Sequence, residues 1–252
     1  EGLTSSDQGM RQGVCLGLSE ILSACSKRQI EQYTDVLVPA LEQGFCDRSE
    51  EVRRQASKAF QTLFKAIGTQ SVSIIVPSLM KKIRVNDNGE DEASELAMLG
   101  LREIVTARPR DVVEYIVPKV LKSPISLHGA FVLGGVASAG GKALQFHCPQ
   151  IVLGFTEELL RLEVELDENE GADTSLLEQI DAVKVCASQL MGSVPSEGVN
   201  LMMQELAKQV DHDSSERNRR WGCWLLEQFL RNSSAEFDDY IPLVLKGLLS
   251  RV

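Results

Sequence analysis

A proline-centred phrase occurs four times along this chain, and its spacing restricts the fold more than any other feature. "LVPALEQG" at 37–44 recurs as "IVPSLMKKI" at 75–83, "IVPKVLKS" at 116–123 and "YIPLVLKGLL" at 240–249. Pro39, Pro77 and Pro118 stand 38 and 41 residues apart. A second phrase follows the proline. Arg53 with Ala56, Phe60 and Leu63 repeats Arg11 with Val14, Leu18 and Ile21, and again Arg219 with Gly222, Leu226 and Phe229. Each set keeps the offsets i, i+3, i+7 and i+10, which mark one face of a helix. Weaker copies keep the apolar members and lose the arginine: Ala97, Leu101 and Ile104; Gly129, Leu133 and Val136; Val183, Ala187 and Leu190.

Two helices per unit at a period near forty residues predict an all-α fold. It is an α-solenoid of HEAT or armadillo type, a right-handed superhelix of stacked hairpins. Residues 1–252 read as one array of roughly six units, the first without its front helix and the last without its back helix. Helices are expected near 6–25, 28–45, 49–67, 69–84, 90–107, 110–122, 126–140, 145–165, 175–192, 197–210, 215–232 and 236–250. The chain starts inside a unit and stops on an apolar helix, so the reading is a fragment of a longer solenoid.

Composition supports helices packed on helices. Aromatics are only 5% of the chain, while charged and hydrophobic residues, at 25% and 43%, suit a folded globular protein. A net charge of −10 argues against a general nucleic-acid binder, since neutralising phosphates takes a basic excess. No run of about 18 apolar residues offers a membrane span, and "EGLTSSDQGMRQ" at the start has no signal-peptide pattern. Cys15, Cys25, Cys46, Cys148, Cys186 and Cys223 include no C-x-x-C pair, so they read as reduced core residues of a cytoplasmic protein.

The repeat also gives the charged residues a structural task. Asp47 stands six residues before Arg53, and Asp213 six before Arg219. That spacing sets the acid in the turn before the second helix, where negative charge is favoured. The arginine one turn inside reaches an aspartate of its own or an adjacent unit. Asp47 with Arg53 and Asp213 with Arg219 are therefore expected as ion pairs that hold the repeat register.

Candidates for chemistry are few. The acidic segment 163–178 has Asp167, Asn169 and Glu178 where the first, third and twelfth ligands of a calcium loop would stand, but Gly171 occupies the fifth place instead of the sixth. It reads as an acidic inter-helix insertion over 163–173, with a calcium-regulated module as the competing idea. "VNDNGEDEAS" at 85–94 reads as a similar polar turn through Asn88-Gly89. "GGVASAGGKAL" at 134–144 lacks P-loop spacing, and its small residues suit a close helix–helix approach. His128, His147 and His212 lie in no nucleophile motif. No catalytic residue, metal site or cofactor is expected. The basic clusters "MKKIR", "RPR" and "ERNRRWGCW" remain. In the last, Arg217, Arg220 and Trp221 are expected on the surface as partner contacts, with Arg219 and Trp224 turned inward; arginine and tryptophan anchor interfaces. Arg54, beside Arg53 but elsewhere around its helix, is the fourth partner-binding candidate.

The phrases "MRQGVCLGLSEILSA" at 10–24, "LVPALEQGFCDRSEEVRRQASKAFQTLFKAIG" at 37–68, "AMLGLREIV" at 97–105 and "YIVPKVLKSPISLHGAFVLGGVASAGG" at 115–141 resemble one known family. It is the carboxy-terminal HEAT array of the large translational activators of general amino-acid control. The resemblance is weaker from 145 onward, and the acidic insertion departs from it. It implies a non-catalytic scaffold on stalled ribosomes that helps activate the stress kinase acting on initiation factor 2 during amino-acid starvation. The implied partners are the ribosome and the kinase's RWD domain. A different solenoid role, an adaptor binding peptides in transport or phosphatase assemblies, is the alternative.

Overall fold

The computed structural model describes residues 2–85, 91–169, 173–210, 215–234, 236 and 238–242. Among them every regular element is a helix, as the repeat predicts. Twelve α-helices are described: α1 Gln8–Ala24, α2 Lys27–Gln32, α3 Thr34–Phe45, α4 Glu50–Ile67, α5 Thr69–Lys82, α6 Glu92–Ala107, α7 Pro109–Val120, α8 Leu127–Gly140, α9 Cys148–Glu168, α10 Thr174–Gly192, α11 Val199–Gln209 and α12 Glu216–Asn232. Pro39, Pro77 and Pro118 lie inside α3, α5 and α7.

The expected helix 28–45 is two helices. Tyr33 leaves the helical conformation at φ −107° and ψ 15°, and the Thr34 hydroxyl donates to the carbonyls of Ile30 and Glu31 at 3.1 and 3.0 Å. A hydroxyl that takes carbonyls from the helical ladder competes with helix continuation. The Ser26–Gln29 capping box then allows α2 to stand as a short separate piece. The helix expected at 145–165 starts later and runs further. Gly141 ends α8 at φ 46°, a 3-10 stretch Gly141–His147 follows, and α9 opens with Pro149 in its first turn. Of the acidic insertion 163–173, residues 163–168 belong to α9 and α10 begins at Thr174, while 170–172 lie outside the described residues. A helix tolerates this run because it carries its own cation: Arg161 pairs with Glu158 and Glu165 at 2.5 Å each. The last expected helix shows a 3-10 turn Asp238–Tyr240, and residues 243–252 lie outside the described set. The polar turn at Asn88-Gly89 lies outside it as well.

Two compact units divide the chain, Glu1–Tyr115 and Ile116–Val252, with the boundary inside α7. In the first unit α4 is packed between α1 and α6, and its face Ala56, Phe60 and Leu63 is at most 2% exposed. Phe60 meets Phe45 of α3 edge-on at 6.1 Å between centroids, and both rings are fully buried. On α6, Ala97, Leu101 and Ile104 are fully buried. The matching face of α1 departs from the pattern. Val14 and Leu18 are half-buried and Ile21 is 57% exposed, because no described helix covers that side.

In the second unit α8 packs on α10 and α10 on α12, while α9 and α11 back them. Leu133, Val136, Val183, Ala187, Leu190, Leu226 and Phe229 form the core that their periodicity predicts. The small-residue stretch does bring two helices together. A Cβ at Gly134 of α8 would lie 3.4 Å from the Cys186 main chain of α10.

The six cysteines are free thiols. Burial raises Cys15 to about 11, and Cys148 and Cys186 to about 12. A thiol so placed behaves as a small apolar side chain.

Candidate functional site

Asp47 is a buried carboxylate of the first unit that accepts three hydrogen bonds. It sits in the turn that ends α3 and precedes α4, and its Oδ1 accepts the Ser49 N–H at 2.9 Å. From α1, Arg11 meets it in a fork: Nε donates to Oδ2 at 2.7 Å and Nη2 to Oδ1 at 3.0 Å. Burial pushes the Asp47 carboxyl up, but the bonds from Arg11 and Ser49 outweigh it and hold the group below its ordinary value. The expected pair of Asp47 with Arg53 is thus replaced by a pair with Arg11. One carboxylate edge matches one guanidinium fork, and here that edge faces α1.

Arg53 has a different acceptor set. Its Nη1 donates to the main-chain oxygens of Asp47 and Arg48 at 2.8 and 3.1 Å, six and five residues upstream. Arg11 repeats this, with Nη1 on the oxygens of Ser5 and Ser6 at 2.9 and 3.2 Å. In these two phrases the arginine ties down the turn that leads into its own helix, and Arg11 also grips the next repeat. The sequence placed both arginines but gave no sign that carbonyls would be their shared target. Arg219 holds the same place on α12 and is half-buried; Asp213 lies outside the described residues.

Beside this staple runs a groove of roughly 650 Å³, lined among others by Pro39, Glu42, Cys46, Lys82 and Arg84. Lys82 of "MKKIR" donates to the buried Glu42 at 3.0 Å. Arg108 of "RPR" lies 3.8 Å over the Phe64 ring and pairs with Asp111 at 2.9 Å. Both clusters thus serve packing as well as the surface. Arg54 is exposed on α4 and pairs with Glu50 one turn back at 2.5 Å.

The basic cluster of α12 meets the acidic end of α9 in the second unit. Arg217 pairs with Asp167 at 3.0 Å, Arg220 pairs with Glu163, and the Trp221 indole N–H donates to Glu163 Oε2 at 2.7 Å. Lys184 of α10 stands 5.7 Å over the Trp221 ring, and Trp221 meets Trp224 edge-on at 6.1 Å. Trp221 is half-buried, as Trp224 is, rather than exposed with Trp224 inside. Its ring needed a cover and its N–H an acceptor, and Glu163 with Lys184 supplies them. The two unusual stretches of the sequence, one acidic and one basic, are partners. Their opposite charge was the signal that would have joined them. Asp167, a candidate calcium ligand, stands on the last turn of a helix and faces an arginine.

Comparison with known proteins gives this architecture a lineage. The profile of the family described as "Stalled ribosome sensor GCN1-like, HEAT repeats" matches residues 112–252, and a HEAT repeat profile matches 37–67. The Mus musculus protein named "Stalled ribosome sensor GCN1" is 28% identical over 253 residues, covering 99% of this chain and 9% of that protein. The Saccharomyces cerevisiae "eIF-2-alpha kinase activator GCN1" is 25% identical over 240 residues, 95% of this chain and 8% of that one. This chain thus spans less than a tenth of the curated relatives' length. Among solved structures, Kap121p bound to Nup53p aligns at TM-score 0.47 and 17% identity over 99% of this chain and 26% of that chain. A designed armadillo repeat protein aligns at TM-score 0.31 and 17% identity over 90% and 97%.

Proposed function

This chain belongs to the GCN1-like HEAT-repeat family, and from that premise we propose that it is a scaffold segment in translational control. It acts by presenting helical surfaces to protein partners and carries out no chemistry of its own. The observation that carries this reading is the family match over the second unit, joined to similarity with named stalled-ribosome sensors and kinase activators along nearly the whole chain.

In this reading the ribosome and the RWD domain of the initiation-factor-2 kinase are the partners, in the cytoplasm of starved cells. Arg54, Arg217, Arg220 and Trp221 are the proposed contacts. Arg54 is the best placed, because the carboxylate it pairs with is exposed and on its own helix, an interaction worth about 0.2–0.5 kcal/mol that a partner easily outcompetes. Arg217 and Arg220 are already paired with α9, so a partner must outcompete those carboxylates to claim them.

Co-sedimentation of the purified chain with ribosomes, and capture by the immobilised RWD domain, test the proposal. Binding to at least one, weakened by Arg54→Glu, is the expected result. Binding to neither would remove the function assigned to this segment.

A further inference from the structure

We propose that Arg217, Arg220 and Trp221 form a receptor surface for an acidic helix of a protein partner, and that the end of α9 occupies it as an autoinhibitory clasp. The present occupant shows what the surface accepts. Glu163 takes Arg220 and the Trp221 indole N–H, and Asp167 takes Arg217. The two acids stand four residues apart, one above the other on one face of α9, and the two arginines stand three apart on α12. Going from 163 to 167 on α9 leads from 220 back to 217 on α12, so the two helices meet antiparallel. Lys184, over the Trp221 ring, adds a further cation. The surface thus offers two guanidinium groups, an ammonium and an indole N–H, which are all donors and include no acceptor. Phosphate groups would also meet such donors. Carboxylates one helical turn apart, however, already match them pair for pair, which selects an acidic helix over a nucleic acid.

The repeat does not ask for these residues. Arg219 belongs to the recurring phrase, whereas the positions of Arg217, Arg220 and Trp221 carry Glu51, Arg54 and Gln55 on α4 and Gly9, Gln12 and Gly13 on α1. Acids suit the first turn of a helix, yet α12 sets Arg217 there against the helix dipole. Packing holds the occupant only loosely. Leu162 is the last buried residue of α9, so residues 163–168 extend past the buried part of the helix and meet α12 through polar bonds. Both arginines face solvent for much of their surface, and exposed pairs of this kind exchange at little cost. A partner helix with the same acid spacing can therefore take the place of the α9 end. The proposal deepens the scaffold reading, on which it rests for the existence of a protein partner.

A fluorescein-labelled, alanine-based helical peptide with Glu and Asp four residues apart, titrated into the full chain and followed by anisotropy, is the probe. The same peptide with those acids changed to Gln and Asn, and a labelled oligouridylate, are the controls. Glu163→Gln combined with Asp167→Asn removes the competing charges. It should tighten binding of the acidic peptide about fivefold or more, because apparent affinity follows the fraction of open surface. Adding Arg217→Gln and Arg220→Gln should remove that gain. Loss of folding cannot imitate a gain that the neutral peptide does not share. Unchanged or weaker binding after Glu163→Gln and Asp167→Asn, an equal gain for the neutral peptide, or tighter binding of the oligouridylate would overturn the assignment. Ribosome and RWD binding, measured on the same proteins, separates the two claims. A gain in peptide binding without either keeps the clasp and removes the scaffold reading. Ribosome or RWD binding with no gain for the peptide does the reverse.

Discussion

Arginine meets carboxylate in both units, and the two meetings differ in nearly every physical respect. In the first unit the Arg11–Asp47 pair is shielded, with side-chain exposures of 15% and 8%, and each partner also bonds main-chain groups of a turn. In the second unit Arg220 and Arg217 are 61% and 46% exposed, and their acids extend from the last turns of α9. A shielded, forked pair that satisfies main-chain groups is costly to break, because its removal strands buried polar atoms. An exposed pair is weak and screened by salt. The first joins α1 to the turn before α4 through shielded bonds and the second leaves its arginines open to solvent and salt, although the residue types are the same.

The sharpest way to break this comparison is Asp47→Ala against Glu163→Ala. Loss of Asp47 should destabilise the chain by on the order of 1–3 kcal/mol in urea unfolding, and loss of Glu163 by less; equal losses would sink the distinction. Next in size is a pair of glycine substitutions. A Cβ at Gly100 would lie 2.6 Å from the Phe45 carbonyl oxygen, so the backbone must shift. At Gly134 the close atom is the end of the Gln189 side chain, which can swing away. Gly100→Ala should cost about 1–3 kcal/mol. Gly134→Ala should stay within about 0.5 kcal/mol, since helix propensity gains offset the contact. Similar melting shifts for both would show that the second unit is as tightly packed as the first.

A smaller effect is expected at the clasp. Glu163→Gln keeps an acceptor for the Trp221 N–H and removes only the charge, so it should cost less than about 1 kcal/mol. That cost should vanish near 1 M salt, where the Debye length is about 3 Å, whereas the cost of Asp47→Ala should persist. The smallest signal is the acid dependence of Asp47. Its carboxyl is held below the ordinary value, so the unfolded chain binds the proton first as pH falls. The stabilisation is complete above the ordinary carboxylate range and is lost as pH drops through the folded value. Between about pH 5 and pH 2, Asp47→Asn should flatten the stability profile; an unchanged slope would mean another carboxylate controls it.

Much of this architecture was legible in the sequence because a repeat states its core several times. The faces of α4, α6, α8 and α10 follow directly from the i, i+3, i+7 offsets. The break at Tyr33 was hidden, since an apolar rhythm through 28–45 is indifferent to that one residue leaving the helical conformation. Residues 163–168 looked like a loop because acids dominate them, yet Arg161 supplies the local cation and Arg217 and Arg220 the distant ones. Charge composition reports what a segment needs nearby and says nothing about whether a helix delivers it. The Asp47–Arg53 expectation failed for a similar reason. Spacing of six puts the two in one turn, but the direction of a carboxylate depends on the helix across from it. The partner-binding candidates rested on residue type, and all four have partners within the chain, Arg54 on its own helix and the other three on α9.

The buried sulphurs give each unit its own clock. A thiol raised to about 11 or 12 is almost wholly protonated near neutrality and shielded as well, so an alkylating reagent reaches it only when the surrounding helices part. Cys15 keeps time for the first unit, and Cys148 with Cys186 for the second. The chain thus carries an internal record of which half opens first, readable one cysteine at a time without attaching any foreign label to the fold.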